Sequence, residues 1–144
     1  MNTLRSRLVE IALEWERTFG NAPHITGIVA EYDAAVLLGI DAGDYSKLMQ
    51  GSTAVQRGHD FIHLDKRYQV KGTRPSGKKG SKITNVPKPR NYDWDYLIWM
   101  NYNQNYDVVE SWLWKVHEYR NSFEDIKRLS PSDMRKGTQI FPLR

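Results

Sequence analysis

The chain has 144 residues, 40% of them hydrophobic and 26% charged, an ordinary globular composition that excludes a disordered or collagen-like chain and suffices for one domain with its own core. No apolar run approaches the ~20 residues of a membrane span, and the charged N-terminal stretch lacks the apolar segment of a secretory signal. The absence of cysteine excludes disulfides, thiolate zinc sites and thiol catalysis. A cytoplasmic protein without a membrane partner is therefore expected.

In chain order, the first expected helix covers residues 3–19. Leu4, Leu8, Ile11, Ala12, Trp15 and Phe19 recur at spacings of three and four, as on a core-facing stripe. Thr3 or Asn2 can cap this helix, and Gly20 ends it. After Pro23, a second helix is expected over residues 26–38, with Thr26 as N-cap and Gly39 as stop. It is apolar nearly all round and should be buried. Glu31 has Gly27, Ile28, Ala34, Ala35 and Leu38 as wheel neighbours, surroundings that make a carboxylate costly unless something pairs with it. Asp33 points elsewhere and reads as exposed. Residues 39–58 give no clear pattern beyond a weak strand around Thr53–Gln56.

A hairpin follows, with strands over residues 60–64 and 67–71, Asp65-Lys66 as the turn, and Gly58 and Gly72 as its bounds. Pro75, Gly77, Gly80, Pro87 and Pro89 then block helix and strand alike, so residues 72–92 form a long loop. Residues 71–90 carry Lys71, Arg74, Lys78, Lys79, Lys82, Lys88 and Arg90 and no acid. This +7 segment outweighs the −3 of the remaining chain and gives the protein its net +4. A focused positive patch suits a polyanion, nucleic acid first; the alternative is a solvated loop that aids solubility. DNA is the expected partner, and the charge pattern does not separate it from RNA.

A second hairpin spans residues 95–100 and 107–115, with Trp94, Trp99, Trp112 and Trp114 stacking as core. Ser122-Phe123-Glu124-Asp125 resembles a capping box opening a short helix through Arg128, and residues 134–141 close as a last strand. The chain reads as one α/β domain with a mixed sheet flanked by helices.

One constellation carries chemistry. Gln69 and Lys71 alternate onto one face of their strand. Counting back from the turn, Asp60 opposes Lys71, so the three can converge. Oxygen ligands beside an ammonium suit a hard cation and phosphodiester hydrolysis. His59 and His63 lie ~13 Å apart on a strand and face away from Asp60, which argues against a metal pair. Gly77-Lys78-Lys79-Gly80-Ser81 lacks the spacing of a phosphate-binding loop.

Gly58-His59-Asp60 and Tyr68-Gln69-Val70-Lys71, preceded by a helix bearing Glu31, resemble the PD-(D/E)XK nuclease superfamily, in its Q-x-K form. The resemblance covers roughly residues 25–115, with residues 116–144 as a C-terminal extension. It implies a restriction-endonuclease-like αβββαβ core and a metal-dependent DNA endonuclease of restriction or repair type. It makes Glu31, Asp60, Gln69 and Lys71 the catalytic set. Glu31, Asp60 and Gln69 would hold Mg²⁺ (or Mn²⁺), and Arg74, Lys78, Lys79, Lys82, Lys88 and Arg90 would bind nucleic acid. Cutting both strands implies a homodimer. The sequence departs from the family pattern in three places. Gly58-His59 replaces the proline before the aspartate, Gln69 stands where glutamate is commoner, and the loop replaces the helix after the lysine strand. The alternative functions are a non-catalytic nucleic-acid-binding module on the same scaffold, and a partner-binding protein with an incidental lysine loop.

Overall fold

A computed structural model describes residues 3–51 and 59–143. The expected weak strand at Thr53–Gln56, the alternative cap Asn2 and the bounding Gly58 lie outside the described residues. The elements in order are α1 (Leu4–Phe19), α2 (Thr26–Leu37), α3 (Ala42–Gln50), β1 (Phe61–His63), β2 (Lys66–Thr73), β3 (Tyr96–Tyr102), β4 (Val108–Lys115), α4 (Val116–Phe123), α5 (Pro131–Met134) and β5 (Thr138–Phe141). The fold is α/β. Its five-stranded sheet runs β1-β2-β3-β4-β5, with β2 and β3 parallel and the other neighbours antiparallel. No helix among the described residues is long and apolar enough to cross a membrane.

Strand alternation divides the core in two. Tyr68, Val70, Ile98, Met100 and Tyr102 face α1 and α2. Leu97, Trp99 and Trp114 face the opposite way, onto Val86, Trp94, Tyr119, Phe123, Leu129 and Met134. Trp94, Trp99 and Trp114 are buried, as the aromatic clustering predicts, and Trp112 is partly buried.

Several local expectations change. Thr3 caps α1 through the Ser6 N–H, and Gly20 ends it at φ 90°. However, the helix turns Val9 and Ala12 inward and leaves Leu4, Ile11, Trp15 and Phe19 exposed. Thr26 is the first residue of α2 rather than its cap, which is Ile25. Ile28, Val36 and Leu37 are exposed, so α2 is not buried all round. Asp33 is buried, not exposed: Arg5 grips both its oxygens at 2.7 Å and the Tyr102 hydroxyl donates at 2.7 Å. These partners are 28 and 69 residues away, beyond the reach of a helical wheel.

Helix α3 buries none of its residues fully; Tyr45 and, three and four residues on, Leu48 and Met49 pack partly buried against the core, and Asp41 caps the helix through the Asp44 N–H. The helix expected at residues 122–128 instead begins at Val116, directly after β4, so that Tyr119 and Phe123 stack on Trp114. The capping box belongs to Ser130 and Asp133, around Pro131.

The crossover from β2 to β3 is a loop of residues 74–95, where a helix is usual. Its stem is fixed, not solvated throughout. Val86 bridges Leu129 and is 1% exposed, and Trp94 is fully buried.

Candidate functional site

The β1–β2 hairpin turns one residue earlier than expected. Leu64 and Asp65 occupy the turn with φ of 50° and 63°, both in the left-handed region that a two-residue hairpin turn requires. Strand pairing moves by two positions, to Phe61↔Tyr68 and His63↔Lys66. Continuing that register places Asp60 level with Gln69 rather than Lys71. Side chains alternate with period two, so a shift of two keeps every residue on its face. The expected convergence of Asp60 with this part of β2 therefore survives the register error.

β1 begins at Phe61, and among the described residues the Val70 N–H beyond it has no strand partner on that side. The Asp60 carboxylate takes its place, accepting from Val70 at 2.7 Å, while the Asp60 N–H donates to the Tyr68 carbonyl at 2.7 Å. Asp60 is thus held against the edge of β2, open among the described residues.

Glu31 reaches this edge from α2. The docking is set at Gly72, where a Cβ would lie 2.7 Å from the Ala30 Cβ and 3.3 Å from the Thr26 carbonyl. Gly72 does not end the strand, as the hairpin reading has it; β2 continues to Thr73, and the glycine allows a helix to lie directly on it. Ala30 adjoins Glu31 and Gly72 adjoins Lys71, so one contact sets the spacing of both functional groups.

Glu31 and Asp60 lie close enough to shift one another's ionisation. Burial and the Asp60 charge push the Glu31 carboxyl up to about 7, against the opposing pull of Lys71. Asp60 is also raised, by burial, although the Val70 N–H, Glu31, Lys71 and His59 all favour its charged form. The proton therefore belongs on Glu31. Lys71 lies within electrostatic reach of both. Gln69 shares the Lys71 face, opposite Leu97 while Lys71 is opposite Trp99. It is half-buried, and its side chain forms no hydrogen bond among the described residues.

One residue near the pair, Tyr45, was not singled out from the sequence, and His59 was read only as unsuited to a metal pair. Burial and the charges of Glu31 and Asp60 push the Tyr45 phenol up to about 12, and its ring meets Tyr32 edge-on at 5.4 Å. Tyr45 sits on α3, where it packs with Leu48 and Met49 against the core, in the stretch 39–58 that gave no clear pattern. His59 lies within electrostatic reach of Asp60, and His63 leans on Tyr68, a cross-strand role.

The expected nucleic-acid set divides. Arg74 is inside the fold, with a side chain only 5% exposed: it pairs with Glu16 at 2.8 Å, donates to the Gln104 carbonyl and covers the Tyr106 ring at 4.2 Å. The Lys88 ammonium donates to the Phe123 and Ile126 carbonyls at 2.8 and 2.7 Å, satisfying a helix end. Both head groups are engaged within the fold. Lys78, Lys79, Lys82 and Arg90 are exposed.

The site offers two carboxylates within electrostatic reach of an ammonium, with Gln69 on the Lys71 face of β2. Among the described residues no three His, Cys, Asp or Glu side chains gather to hold a metal. Mg²⁺ is usually held by one or two carboxylates and keeps several waters, so this donor set fits it. A carboxyl that keeps its proton beside a second carboxylate is also where a divalent cation can displace that proton. No family model and no curated protein matches the chain.

The raised Glu31 carboxyl has a measurable consequence. Its folded pKa lies above the ordinary value of 4.5, so the metal-free fold loses stability as pH rises from about 4.5 to 7. Glu31→Gln should be indistinguishable from wild type in melting temperature near pH 4.5 and more stable by pH 8. The gain is ~1–2 kcal/mol after discounting for partial exposure. A stability difference that does not change with pH would show that Glu31 ionises as if it were in water.

Proposed function

We propose that this protein is a divalent-metal-dependent endonuclease acting on DNA, on a restriction-endonuclease-like scaffold. The observation that carries the reading is the meeting of Glu31, Asp60 and Lys71 at the edge of β2. The scaffold is supported by α2 preceding the β1–β2 hairpin and by a parallel β3 beside the lysine strand. The interposed α3 and the loop crossover are departures from αβββαβ.

Asp60 and Glu31 would hold Mg²⁺ or Mn²⁺, with Gln69 adding a neutral oxygen. When bound, such an ion supplies Lewis acidity and a water of lowered pKa. In the hydrolysis the water oxygen bonds to phosphorus, the ester P–O bond breaks and the leaving oxygen takes up a proton. Lys71 places a positive charge beside the phosphoryl oxygens where negative charge develops. Its ammonium also orients the attacking water. Asp60 is fixed by the Val70 N–H and so presents its free oxygen without reorganisation. Lys78, Lys79, Lys82 and Arg90 grip phosphates along the backbone.

The unengaged, neutral Gln69 favours a second reading, a nucleic-acid-binding module without catalysis. Calorimetric titration with Mn²⁺ separates the two. The wild type should bind the ion, and Asp60→Asn should weaken binding at least about tenfold, a loss of ~1.4 kcal/mol. No binding heat in the wild type would favour the module, and equal heat in both proteins would remove Asp60 from the site.

The loop is tested separately. Each phosphate contact on duplex DNA contributes about −0.9 to the slope of log affinity against log salt. Replacing Lys78, Lys79 and Lys82 with alanine should shrink that slope by about 2.7 if each meets one phosphate. The loss should be equal across sequences, since phosphate contacts carry no base information. An unchanged slope in the folded triple variant would leave the +7 segment a solvated surface.

A further inference from the structure

Helix α1 is apolar over more of its circumference than its own core uses. Val9 and Ala12 are buried and Leu8 and Leu13 are partly buried, yet Leu4, Ile11, Trp15 and Phe19 are 75%, 61%, 52% and 65% exposed. Leu4, Leu8, Ile11 and Trp15 follow one another at steps of four, three and four. That is the alternation of the two seam positions of a coiled coil. The Trp15 and Phe19 rings, 4.7 Å apart, extend the ridge. The helix has 16 residues, about 24 Å at 1.5 Å per residue.

Two charges flank this seam on one side. Arg7 and Glu14 immediately precede Leu8 and Trp15 and are exposed, and neither makes an ion pair or side-chain hydrogen bond among the described residues. The other flank is occupied: Arg5 holds Asp33, and Glu16 holds Arg74.

We propose that this face is the docking surface for a second copy of the chain, with α1 packed antiparallel on α1 about a twofold axis. An isologous contact needs a self-complementary surface, and α1 supplies one. Antiparallel seam layers match Leu4 with Trp15 of the second copy and Leu8 with its Ile11, and symmetry repeats both. Arg7 then faces Glu14 of the second copy, twice. A parallel pairing would set Arg7 beside Ala12 and Glu14 beside Phe19, leaving both charges unmatched. The charges therefore select both the partner and its direction. The contact is at the small end of interface sizes, so the dimer should dissociate on dilution through about micromolar concentration. This pairing is independent of the Asp60 site and stands whether or not the protein cleaves DNA.

Sedimentation of the full chain over a range of concentrations tests it. The wild type should rise from 16.8 kDa toward twice that mass. Trp15→Glu should remain monomeric with unchanged circular dichroism and melting temperature, because Trp15 is half exposed at the surface. Arg7→Glu and Glu14→Arg should each weaken association about tenfold, from attraction turned to repulsion at two symmetric contacts. The double variant Arg7→Glu/Glu14→Arg should return close to wild type. A wild type that stays monomeric, a dimer unmoved by Trp15→Glu, or a double variant no better than the single ones would overturn the proposal. So would a monomer that binds phosphatidylglycerol–phosphatidylcholine vesicles through Trp15, which would make the face a membrane-binding one.

Discussion

Replacing Lys71 with alanine should lower the rate of DNA cleavage by 10²–10³ while leaving DNA affinity nearly intact. The magnitude is that of removing one preorganised electrostatic contact to developing charge. The ammonium lies within reach of both Glu31 and Asp60, at the place where the proposed reaction gathers negative charge. Affinity should survive because the phosphate grip is spread over Lys78, Lys79, Lys82 and Arg90. Lys71→Arg should not restore the full rate, since a planar guanidinium cannot occupy the place of a compact ammonium. Single-turnover cleavage with a filter-binding control reads both quantities. Wild-type cleavage by Lys71→Ala would end the catalytic assignment of this residue.

Gly72→Ala should damage both fold and site through one added methyl group. The new Cβ would lie 2.7 Å from the Ala30 Cβ and 3.3 Å from the Thr26 carbonyl, and neither neighbour is the end of a flexible side chain. Overpacking of this kind costs about 1–3 kcal/mol. Relief requires α2 to lift from β2, which carries Glu31 away from Asp60 and Lys71. Cleavage should therefore fall even where the variant remains folded, while the salt slope of DNA binding stays the same. Ala30→Gly provides the control. It costs about 1 kcal/mol itself, as a glycine inside a helix, but opens the space that the new methyl needs. The stability penalty of Gly72→Ala should be smaller in the Ala30→Gly background, a coupling measured by a double-mutant cycle. Equal penalties in the two backgrounds would mean that this contact does not set the docking of α2.

The site was more legible in the sequence than the packing around it. Asp60 stays beside Val70 and Lys71 despite a misplaced turn, because strand parity tolerates an error of two in the pairing. Glu31 stood out as a carboxylate among small and apolar neighbours, a cost that local sequence could not relieve. Asp33 has the same problem and a different solution, in Arg5 and Tyr102, and no local pattern points to either. Hydrophobic period located α1, but it could not say which part of a broad apolar arc faces its own core. Helix α3 was missed because its apolar face is short, with Tyr45, Leu48 and Met49 only partly buried among polar residues. Charge counting found the basic segment, yet it weighed Arg74 and Lys88 equally with Lys79. Their partners Glu16, Gln104, Phe123 and Ile126 come from elements that only the fold brings near.

The central claim is that Glu31, Asp60 and Lys71 form a metal-dependent phosphodiesterase centre. Its most direct test is incubation of the purified wild-type protein with supercoiled plasmid in Mg²⁺ or Mn²⁺, with an EDTA arm and a Lys71→Ala arm. The account predicts nicked or linear DNA in the wild-type metal arms alone. Intact plasmid in every arm, at concentrations where the protein binds the DNA, would contradict it, as would cleavage that persists in EDTA or in Lys71→Ala.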